Sequence, residues 1–351
     1  MSGQRFAAGA YLDDDKGTNS GSVSLFEKNG DSWNHTTKIL ANDGVAGDGF
    51  GWSVHLSGDE LLVGARLRDD KGTNSGAVYF FIFDGTLWNQ TQKITTNDVS
   101  SDSEFGYSLS RKGNRAVIGA PYHNHGGTCI ECGKAYVFSL EGILWIEEAI
   151  LQDNDKQSND FFGYSVSIDG DHVVVGVPFY DDKGADSGSV VVFEKIDNSW
   201  NQIIKLYSSD PATNEYFGSS VWIESDTIAV GSNQDDTFKG SVFMFKKTGS
   251  SWNEIQKIVA DPRVDNQRFG WSVSMEGDNL VVGAPQSNNP GVYLFKRNGD
   301  SWNQTQKISP NGITNTRFGY SLSINQGFIA VGANQDNEKG TNSGAVWMIG
   351  E

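Results

Sequence analysis

The loop from residue 123 to 132 carries the side chains in this sequence that are best suited to bind a metal. His123, His125, Cys129 and Cys132 lie close together, and the two cysteines are the only ones in the 351-residue chain. Two imidazoles and two thiolates could hold a zinc ion tetrahedrally. The cysteines could instead form a local disulfide, which would place the protein outside the cytosol, or remain free thiols. A lone Cys-x-x-Cys without a βαβ pattern is weak evidence for redox catalysis.

Aspartates that recur in a series of related loops form the second group of candidates. Their carboxylates could bind a cation or a partner protein, or they could only build turns by accepting hydrogen bonds from nearby backbone N–H groups. The candidates for such a ligand face are Asp13, Asp14, Asp69, Asp70, Asp181, Asp182, Asp235, Asp236 and Asp336. Nearby loops add Asp98, Asp102 and Glu104.

The sequence contains no common catalytic motif. H-E-x-x-H, G-x-S-x-G and G-x-x-x-x-G-K-[ST] are all missing, and the five histidines occupy no repeated position. We therefore expect a protein that is not an enzyme and has no cofactor.

The charge balance narrows the classes of partner. The formal net charge is −17, so the surface repels phosphate backbones and anionic membranes. No apolar run approaches the roughly 20 residues of a membrane span. We expect neither nucleic-acid binding nor membrane insertion. The first residues also lack a signal-peptide pattern, so a secreted form would have been trimmed.

One repeat organises the whole chain. A Phe-Gly pair recurs every 49 to 57 residues, at Phe50, Phe105, Phe162, Phe217, Phe269 and Phe318. A second motif, an apolar residue followed by Gly and a small residue, occurs seven times, with its glycine at Gly9, Gly64, Gly119, Gly176, Gly231, Gly283 and Gly332. Periods of this length are typical of propeller blades.

The repeat that begins at Phe50 shows four strand-like runs. FGWSVHL alternates apolar and small or polar residues, which predicts a strand, and ELLVGA predicts a strand covered on both faces. AVYFFIF and LWNQTQKI follow, each after turn residues. Four antiparallel strands make one propeller blade. Gly and Ser in the first strand would let the neighbouring blade approach closely.

We therefore predict an all-β fold, a seven-bladed β-propeller of four-stranded antiparallel blades that forms a single domain over residues 1–351. The repeats span about 1–49, 50–104, 105–161, 162–216, 217–268, 269–317 and 318–351. The first repeat lacks its Phe-Gly strand and the last lacks its Trp strand, so the blades at this seam are incomplete and 26 strands are expected. We expect the termini to meet there.

These motifs resemble the FG-GAP repeats of integrin alpha-subunit propellers and of bacterial FG-GAP repeat proteins. Ala120-Pro121 and Ala284-Pro285 complete the Gly-Ala-Pro triplet, and DDKGTNSG at 69–76 is similar to the bacterial repeats. The resemblance implies the propeller fold across essentially the whole chain. Integrin-type repeats often carry a calcium loop between the first two strands, but here that loop is a short turn such as Ser57-Gly58-Asp59. Such a turn cannot supply the six to eight oxygens that calcium needs.

Two sets of aromatic residues also recur. The residue after Phe-Gly is aromatic in most repeats, and alternation places it on the packed face with Phe50 and Val54, which predicts a core position rather than a sugar-stacking one. The outer-strand tryptophans recur once per repeat, which favours a structural role.

Asn34, Asn89 and Asn303 fit N-x-[ST] and are glycosylation acceptors only in a secreted eukaryotic protein.

Three functions fit these observations. The first is a non-enzymatic binding or adhesion module of a secreted or cell-surface protein that presents its acidic loops to a protein partner. The second is a carbohydrate-binding propeller, in which several equivalent loops would expose aromatic rings. The third is a structural scaffold that self-associates through the incomplete seam blades.

Overall fold

The fold consists of short antiparallel strands that repeat in groups along the chain. The computed structural model describes residues 1–127, 129–286, 290–310, 316–340 and 343–350. These residues form 26 strands and a single helical turn, which are β1 Arg5–Ala10, β2 Ser22–Asn29, β3 Ser32–Ile39, β4 Phe50–Ser57, β5 Glu60–Ala65, β6 Ala77–Phe83, β7 Trp88–Ile94, β8 Ser108–Lys112, β9 Arg115–Ala120, β10 Lys134–Glu141, β11 Leu144–Leu151, β12 Ser165–Asp169, β13 His172–Val177, β14 Ser189–Ile196, β15 Ser199–Leu206, β16 Phe217–Glu224, β17 Thr227–Ser232, α1 Asp235–Phe238, β18 Ser241–Thr248, β19 Ser251–Ile258, β20 Ser272–Glu276, β21 Asn279–Ala284, β22 Gly291–Asn298, β23 Ser301–Ile308, β24 Phe318–Asn325, β25 Phe328–Ala333 and β26 Ala345–Gly350.

The strands form seven antiparallel sheets, which are the blades of a β-propeller. Five sheets have four strands, whereas β1–β3 and β24–β26 are three-stranded. The predicted fold class, the seven blades and the two incomplete blades are therefore confirmed. The strand count over the described residues also equals the predicted 26.

The contacts divide the chain into two compact units. Unit 1 comprises Met1–Ile168 and Asp197–Trp200, and unit 2 comprises Asp169–Ile196 and Asn201–Glu351. Unit 1 contains the sheets β1–β3, β4–β7 and β8–β11, and unit 2 contains β16–β19, β20–β23 and β24–β26; the boundary falls in the sheet of β12 to β15. The single domain and the meeting of the termini stay predictions.

Close approach between consecutive sheets depends on small residues. Ser53 Oγ in β4 donates a hydrogen bond to Gly106 O at 2.7 Å, at the start of the next blade. A Cβ on Gly64 would overlap that same carbonyl. The contact repeats in both units, through Ser108 to Gly163, Ser220 to Gly270 and Ser272 to Gly319. The role predicted for Gly and Ser in the first strand is thus confirmed.

Glutamine side chains bridge the outer strands of consecutive blades. Gln92 in β7 accepts a hydrogen bond from Trp145 N at 2.7 Å and donates one to Trp145 O at 2.9 Å. Gln256 in β19 makes the same pair of bonds to Trp302, at 2.7 and 3.0 Å. Each glutamine therefore binds an outer-edge backbone group that has no strand partner on that side.

The loop between the second and third strands of one blade lies against the loop that enters the next blade. Phe105 N donates to Ser75 O at 3.0 Å, and Glu104 N donates to Asn74 O at 3.0 Å. Both sets of loops consequently lie on the same face. We call the part of this face in unit 1, including the residue just after each Phe-Gly pair, the loop face; it comprises residues 11–21, 40–52, 66–76, 95–107, 121–127 and 152–164.

The residues after Phe-Gly do not lie where strict alternation predicts. Phe50 pairs with Ala65 but Ser53 pairs with Gly64, so two residues of β4 lie outside the ladder. Gly51 has a φ of 92°, in the left-handed region where glycine permits such a bulge. Phe50 enters the core cluster, whereas Trp52 is partly exposed. The core position predicted for Trp52 was therefore wrong, because the bulge interrupts the period of two.

Candidate binding face

The acidic residues of the first loop in unit 1 are bound by other parts of the chain. Asp13 Oδ2 accepts hydrogen bonds from Lys38 Nζ at 2.5 Å and Ser22 Oγ at 3.0 Å. Burial raises the pKa of Asp13, but the hydrogen bond and charge of Lys38 outweigh it and hold that pKa below its usual value. Asp14 accepts from Asn19 N at 2.8 Å, which closes the turn.

The second loop repeats this arrangement. Asp69 Oδ1 accepts from Asn74 N at 2.8 Å, as Asp14 does in the first loop. Asp70 accepts from Arg68 Nε at 2.9 Å and also pairs with Lys93. These carboxylates build turns and ion pairs, which is the structural alternative that the sequence left open.

Most acidic loop residues of unit 2 are also internally paired. Asp181 accepts from Asp186 N at 2.8 Å and Asp182 from Tyr180 OH at 2.8 Å. Asp235 pairs with Lys257 at 2.8 Å, and Asp236 pairs with Arg263 at 3.1 Å.

Asp336 differs from the other acidic candidates. Its Oδ1 accepts from Glu338 N at 2.9 Å, but its Oδ2 has no hydrogen-bond partner among the described residues. The side chain is nevertheless only 1% exposed. A buried carboxylate oxygen without a partner is costly and requires an explanation.

The loop that carries the histidines and cysteines is held by a disulfide in the structure. Cys129 and Cys132 are bonded, with 5.8 Å between their Cα atoms. His123 Nε2 lies 3.3 Å from Asp98 Oδ2, and His125 Nε2 lies 3.0 Å from Gly133 O. Over the described ranges, no three His, Cys, Asp or Glu side chains are grouped to hold a metal.

Burial controls the protonation of His123, which is 4% exposed. Burial and, to a smaller extent, the charge of Lys134 lower the pKa of His123 to about 4, against the opposing effect of Asp98. Lys134 and Tyr136 in turn bind Asp98 Oδ2, at 2.7 and 3.0 Å. A neutral imidazole thus lies beside a carboxylate whose Oδ2 atom is already bound by Lys134 and Tyr136.

Aromatic rings form a continuous row across the loop face. Tyr11 and Trp52 have their ring centroids 4.8 Å apart, Trp52 and Tyr107 5.5 Å, and Tyr107 and Tyr164 5.2 Å. All four rings are partly exposed. We call these four residues the aromatic row.

Arg66 and Glu104 place an ion pair on the aromatic row. The guanidinium of Arg66 lies 3.8 Å from the Trp52 ring centroid and 5.6 Å from that of Tyr107, which is within cation–π distance. Glu104 pairs with Arg66, yet burial raises the pKa of Glu104 above its usual value. The site therefore combines flat apolar rings with charged groups of both signs.

The aromatic row was not predicted from the sequence, although an aromatic residue follows Phe-Gly in most repeats. The available signal was the glycine itself, because a glycine inside a strand pattern often marks a bulge that reorients the next side chain. Nothing in the sequence indicated a role for Arg66 in a binding site. It directly follows the second-strand motif, at a position where the other repeats carry Tyr, Pro or Asn.

Integrin-type repeats often carry a calcium loop between the first two strands of a blade. Here the connection is the short turn that the sequence predicts, since β4 ends at Ser57 and β5 begins at Glu60. Asn34, Asn89 and Asn303 are exposed on outer strands. Among the helical residues of the described chain, none forms a stretch that is long and apolar enough to cross a membrane.

A protein-family model described as FG-GAP repeat matches six segments of the chain, residues 33–82, 88–138, 145–193, 200–245, 252–295 and 302–349. Human integrin alpha-11 is 28% identical over 287 residues, which cover 71% of this chain and 23% of the integrin. Chicken integrin alpha-6 is 30% identical over 145 residues, which cover 37% of this chain and 13% of the integrin. The chain thus spans less than a quarter of the length of these curated relatives.

Solved structures with the same fold carry a different name. A protein of Bacteroides fragilis named as a 6-phosphogluconolactonase aligns with a TM-score of 0.62 and 14% identity, over 99% of this chain and 94% of that one. A Bacteroides uniformis protein of the same name has a TM-score of 0.59 and 12% identity, over 99% and 96%. At these identities the likeness shows the fold alone.

Proposed function

Because the chain belongs to the FG-GAP repeat family, we propose that it is a non-enzymatic module that binds a protein partner through the loop face. The observation that carries this proposal is the aromatic row, whose four rings are partly exposed and contact each other in edge-on or tilted pairs rather than entering the core clusters. Tyr and Trp are enriched at the energetic centres of protein interfaces. The acidic loops then form the polar rim, and their internal pairs fix its shape.

We further propose that the module works outside the cell, as a secreted or surface-exposed protein without a cofactor. The disulfide between Cys129 and Cys132 supports this location, because disulfides persist in oxidising compartments. The acidic surface favours neither nucleic acid nor membrane partners.

The test uses the full chain on an array of purified secreted proteins, beside Trp52→Ala and Tyr107→Ala variants. We expect a protein hit that both variants lose. Trp33→Ala is the matched control, because Trp33 is also partly exposed and packs on Phe6 in β1, away from the aromatic row. Retained binding by Trp52→Ala and Tyr107→Ala would contradict the proposal.

Carbohydrate binding is the second candidate, since flat, partly exposed rings beside Arg66 and Glu104 also suit a sugar. A glycan array run with the same variants separates the two: a glycan hit that depends on Trp52, without a protein hit, favours the second. Turnover of 6-phosphogluconolactone by the purified chain would instead show that the activity named for its fold neighbours extends to it.

A further inference from the structure

The outer strand of the third blade, β11, differs from β3, β7, β15, β19 and β23 at two positions. In those five strands the residue after the Trp is Asn, and the fifth residue after the Trp is Lys. In β11 the same positions carry Ile146 and Ile150, which are 44% and 41% exposed. Leu144 beside them is 45% exposed. β11 therefore presents apolar side chains to solvent where the equivalent strands carry polar ones.

The lysine that β11 lacks has two roles in an outer strand. Lys93 in β7 lies opposite Tyr79 in the ladder and pairs with Asp43 of the adjacent loop at 2.7 Å. Ile150 lies opposite Tyr136, which is the equivalent position. A charged side chain on an edge strand, lysine above all, also prevents that edge from pairing with another chain. Ile150 provides neither the ion pair nor this protection.

A contact that holds the entering loop against the outer strand is also missing in this blade. In three other blades a backbone N–H of that loop donates to the side chain two residues after the outer Trp, in the pairs Asn42 to Gln90 at 2.8 Å, Ser209 to Glu254 at 3.0 Å and Asp261 to Gln304 at 2.8 Å. The equivalent residues of the third blade are Asn97 and Glu147. No hydrogen bond joins these two in the part of the chain that the structure describes. Asn97 Oδ1 instead accepts from Lys71 Nζ at 3.2 Å.

The gap between this loop and β11 is a groove with a volume of about 600 Å³. It is lined by Thr95, Thr96, Asn97, Asp98, Glu147 and Ile150. Gln92 binds the outward backbone groups of Trp145. The free part of the β11 edge therefore lies beyond that bridge, from Glu147 to Leu151, beside the groove.

Glu147 gives the groove a negative charge that the chain does not pair. It is exposed, and its side chain forms no hydrogen bond or ion pair within the described residues. Asp98 on the opposite wall is bound by Lys134 through Oδ2 at 2.7 Å, yet one third of its side chain, 33%, stays exposed. The groove thus offers carboxylate oxygens beside the apolar surface of Ile150.

We propose that the edge of β11 from Glu147 to Leu151, together with this groove, binds an extended segment of a partner protein in which basic and apolar residues alternate. The segment adds to the sheet as a fifth strand and forms backbone hydrogen bonds with β11. A lysine or arginine of the segment pairs with Glu147, and an apolar residue covers Ile150. The groove lies at the outer margin of the loop face and contains no residue of the aromatic row, so the two sites can be tested separately.

A second copy of this chain is a poor occupant of the site. β11 contains Glu147 and Glu148 but no basic residue, so pairing of two β11 strands would bring like charges together. The formal net charge of −17 also opposes association of two copies. Charge complementarity therefore selects a basic segment of a different protein.

The experiment uses the labelled peptide TVKVKVTV, which alternates valine with polar residues and carries lysine on its polar face. Its fluorescence anisotropy is measured while it is titrated with the full chain, up to about 1 mM. We expect saturable binding. TVEVEVTV, in which glutamate replaces lysine, should bind about tenfold more weakly or less. TVKPKVTV should not bind, because proline lacks the N–H that a central strand position requires.

Variants of the protein locate the binding site. Ile150→Lys introduces the residue that the five equivalent strands carry, so this variant should fold as the parent does, and we expect it to abolish saturable binding. Glu147→Gln should weaken binding about fivefold. Glu254→Gln is the matched control, because it makes the same change at the equivalent position of β19, and it should leave the affinity unchanged.

Three peptide results would overturn the proposal: no saturable binding of TVKVKVTV, equal affinity of the parent and Ile150→Lys for it, or equal affinity of the parent for TVKPKVTV. Light scattering that shows dimers of the parent but monomers of Ile150→Lys would also overturn it, because a second copy of the chain would then occupy the edge.

Discussion

Glu215 is a carboxyl group that the fold keeps partly protonated near neutral pH. It is 3% exposed and accepts a hydrogen bond from Ser208 Oγ at 3.1 Å. Burial, followed by the nearby charge of Asp235, raises the pKa of Glu215 to about 7, from 4.5. A carboxyl whose pKa is higher in the folded state favours folding below pH 4.5, and this contribution is lost as the pH rises through about 7.

Replacing this carboxyl should therefore stabilise the protein at high pH only. We expect Glu215→Gln to raise the free energy of unfolding by up to about 3 kcal/mol near pH 8, and to leave it nearly unchanged near pH 4. Urea denaturation at both pH values measures this, with Glu141→Gln, an exposed position in β10, as the control. A variant that is no more stable than the parent near pH 8 would contradict the assignment.

Two glycines at the same repeat position test the close approach between blades. A Cβ on Gly283 would overlap Gly319 O of the next blade, whereas the closest atoms to a Cβ on Gly332 all belong to Ser321 of its own sheet. We expect Gly283→Ala to cost about 2 kcal/mol or more, and Gly332→Ala less than about 1 kcal/mol. Thermal unfolding of both variants compares them, and equal losses would refute the steric argument.

The loop of β9 to β10 is the element that departs most from the repeat, and a disulfide closes it. A bridge between Cys129 and Cys132 restrains only a short stretch of the unfolded chain, so its entropic effect is worth about 2 kcal/mol. We expect the double variant Cys129→Ser/Cys132→Ser to lose about this much stability. The parent should fall to the same value when treated with reductant, and the variant should not respond to it. A parent unaffected by reductant would show that the bridge does not stabilise the fold.

The strands themselves were largely predictable from the sequence, because apolar periodicity and turn residues are local signals. ELLVGA becomes β5 with all but its first residue buried, as a doubly covered strand requires. The bulge at Gly51 and Trp52 was not predictable from period alone, since it depends on a positive φ. The aromatic row follows from that bulge, so the candidate site was missed at the same point.

At the scale of the whole molecule, the excess of negative charge lowers the stability of the fold, whereas the internal ion pairs raise it. The 44 acidic residues exceed the 27 basic ones, and like charges spread over the surface repel. Exposed ion pairs contribute little each, so screening should remove more repulsion than attraction. We expect added sodium chloride to raise the free energy of unfolding by about 1 kcal/mol. Thermal melts at low and high sodium chloride concentration test this, and a lower melting temperature in salt would contradict it.

The seven blades and the seam were readable from the sequence because the repeat is long and in register. The partners of the acidic loop residues could not be predicted from the sequence. Lys38 reaches Asp13 only when the outer strand of the blade folds back beside the loop that carries Asp13. For the same reason Asp336 was only one candidate among nine in the sequence, and its buried Oδ2, which has no hydrogen-bond partner among the described residues, became visible only in three dimensions.

The glutamine bridges have a consequence for how such a chain can change over generations. Gln92 and Gln256 bind only backbone N–H and C=O groups of the neighbouring blade, and Ser53 binds only a backbone carbonyl. Contacts of this kind do not depend on which side chains the neighbour carries. A blade can therefore be duplicated, or its loops can diverge, while its junctions to both neighbours are kept. Divergence such as the loop at His123 is then free to accumulate in a single blade.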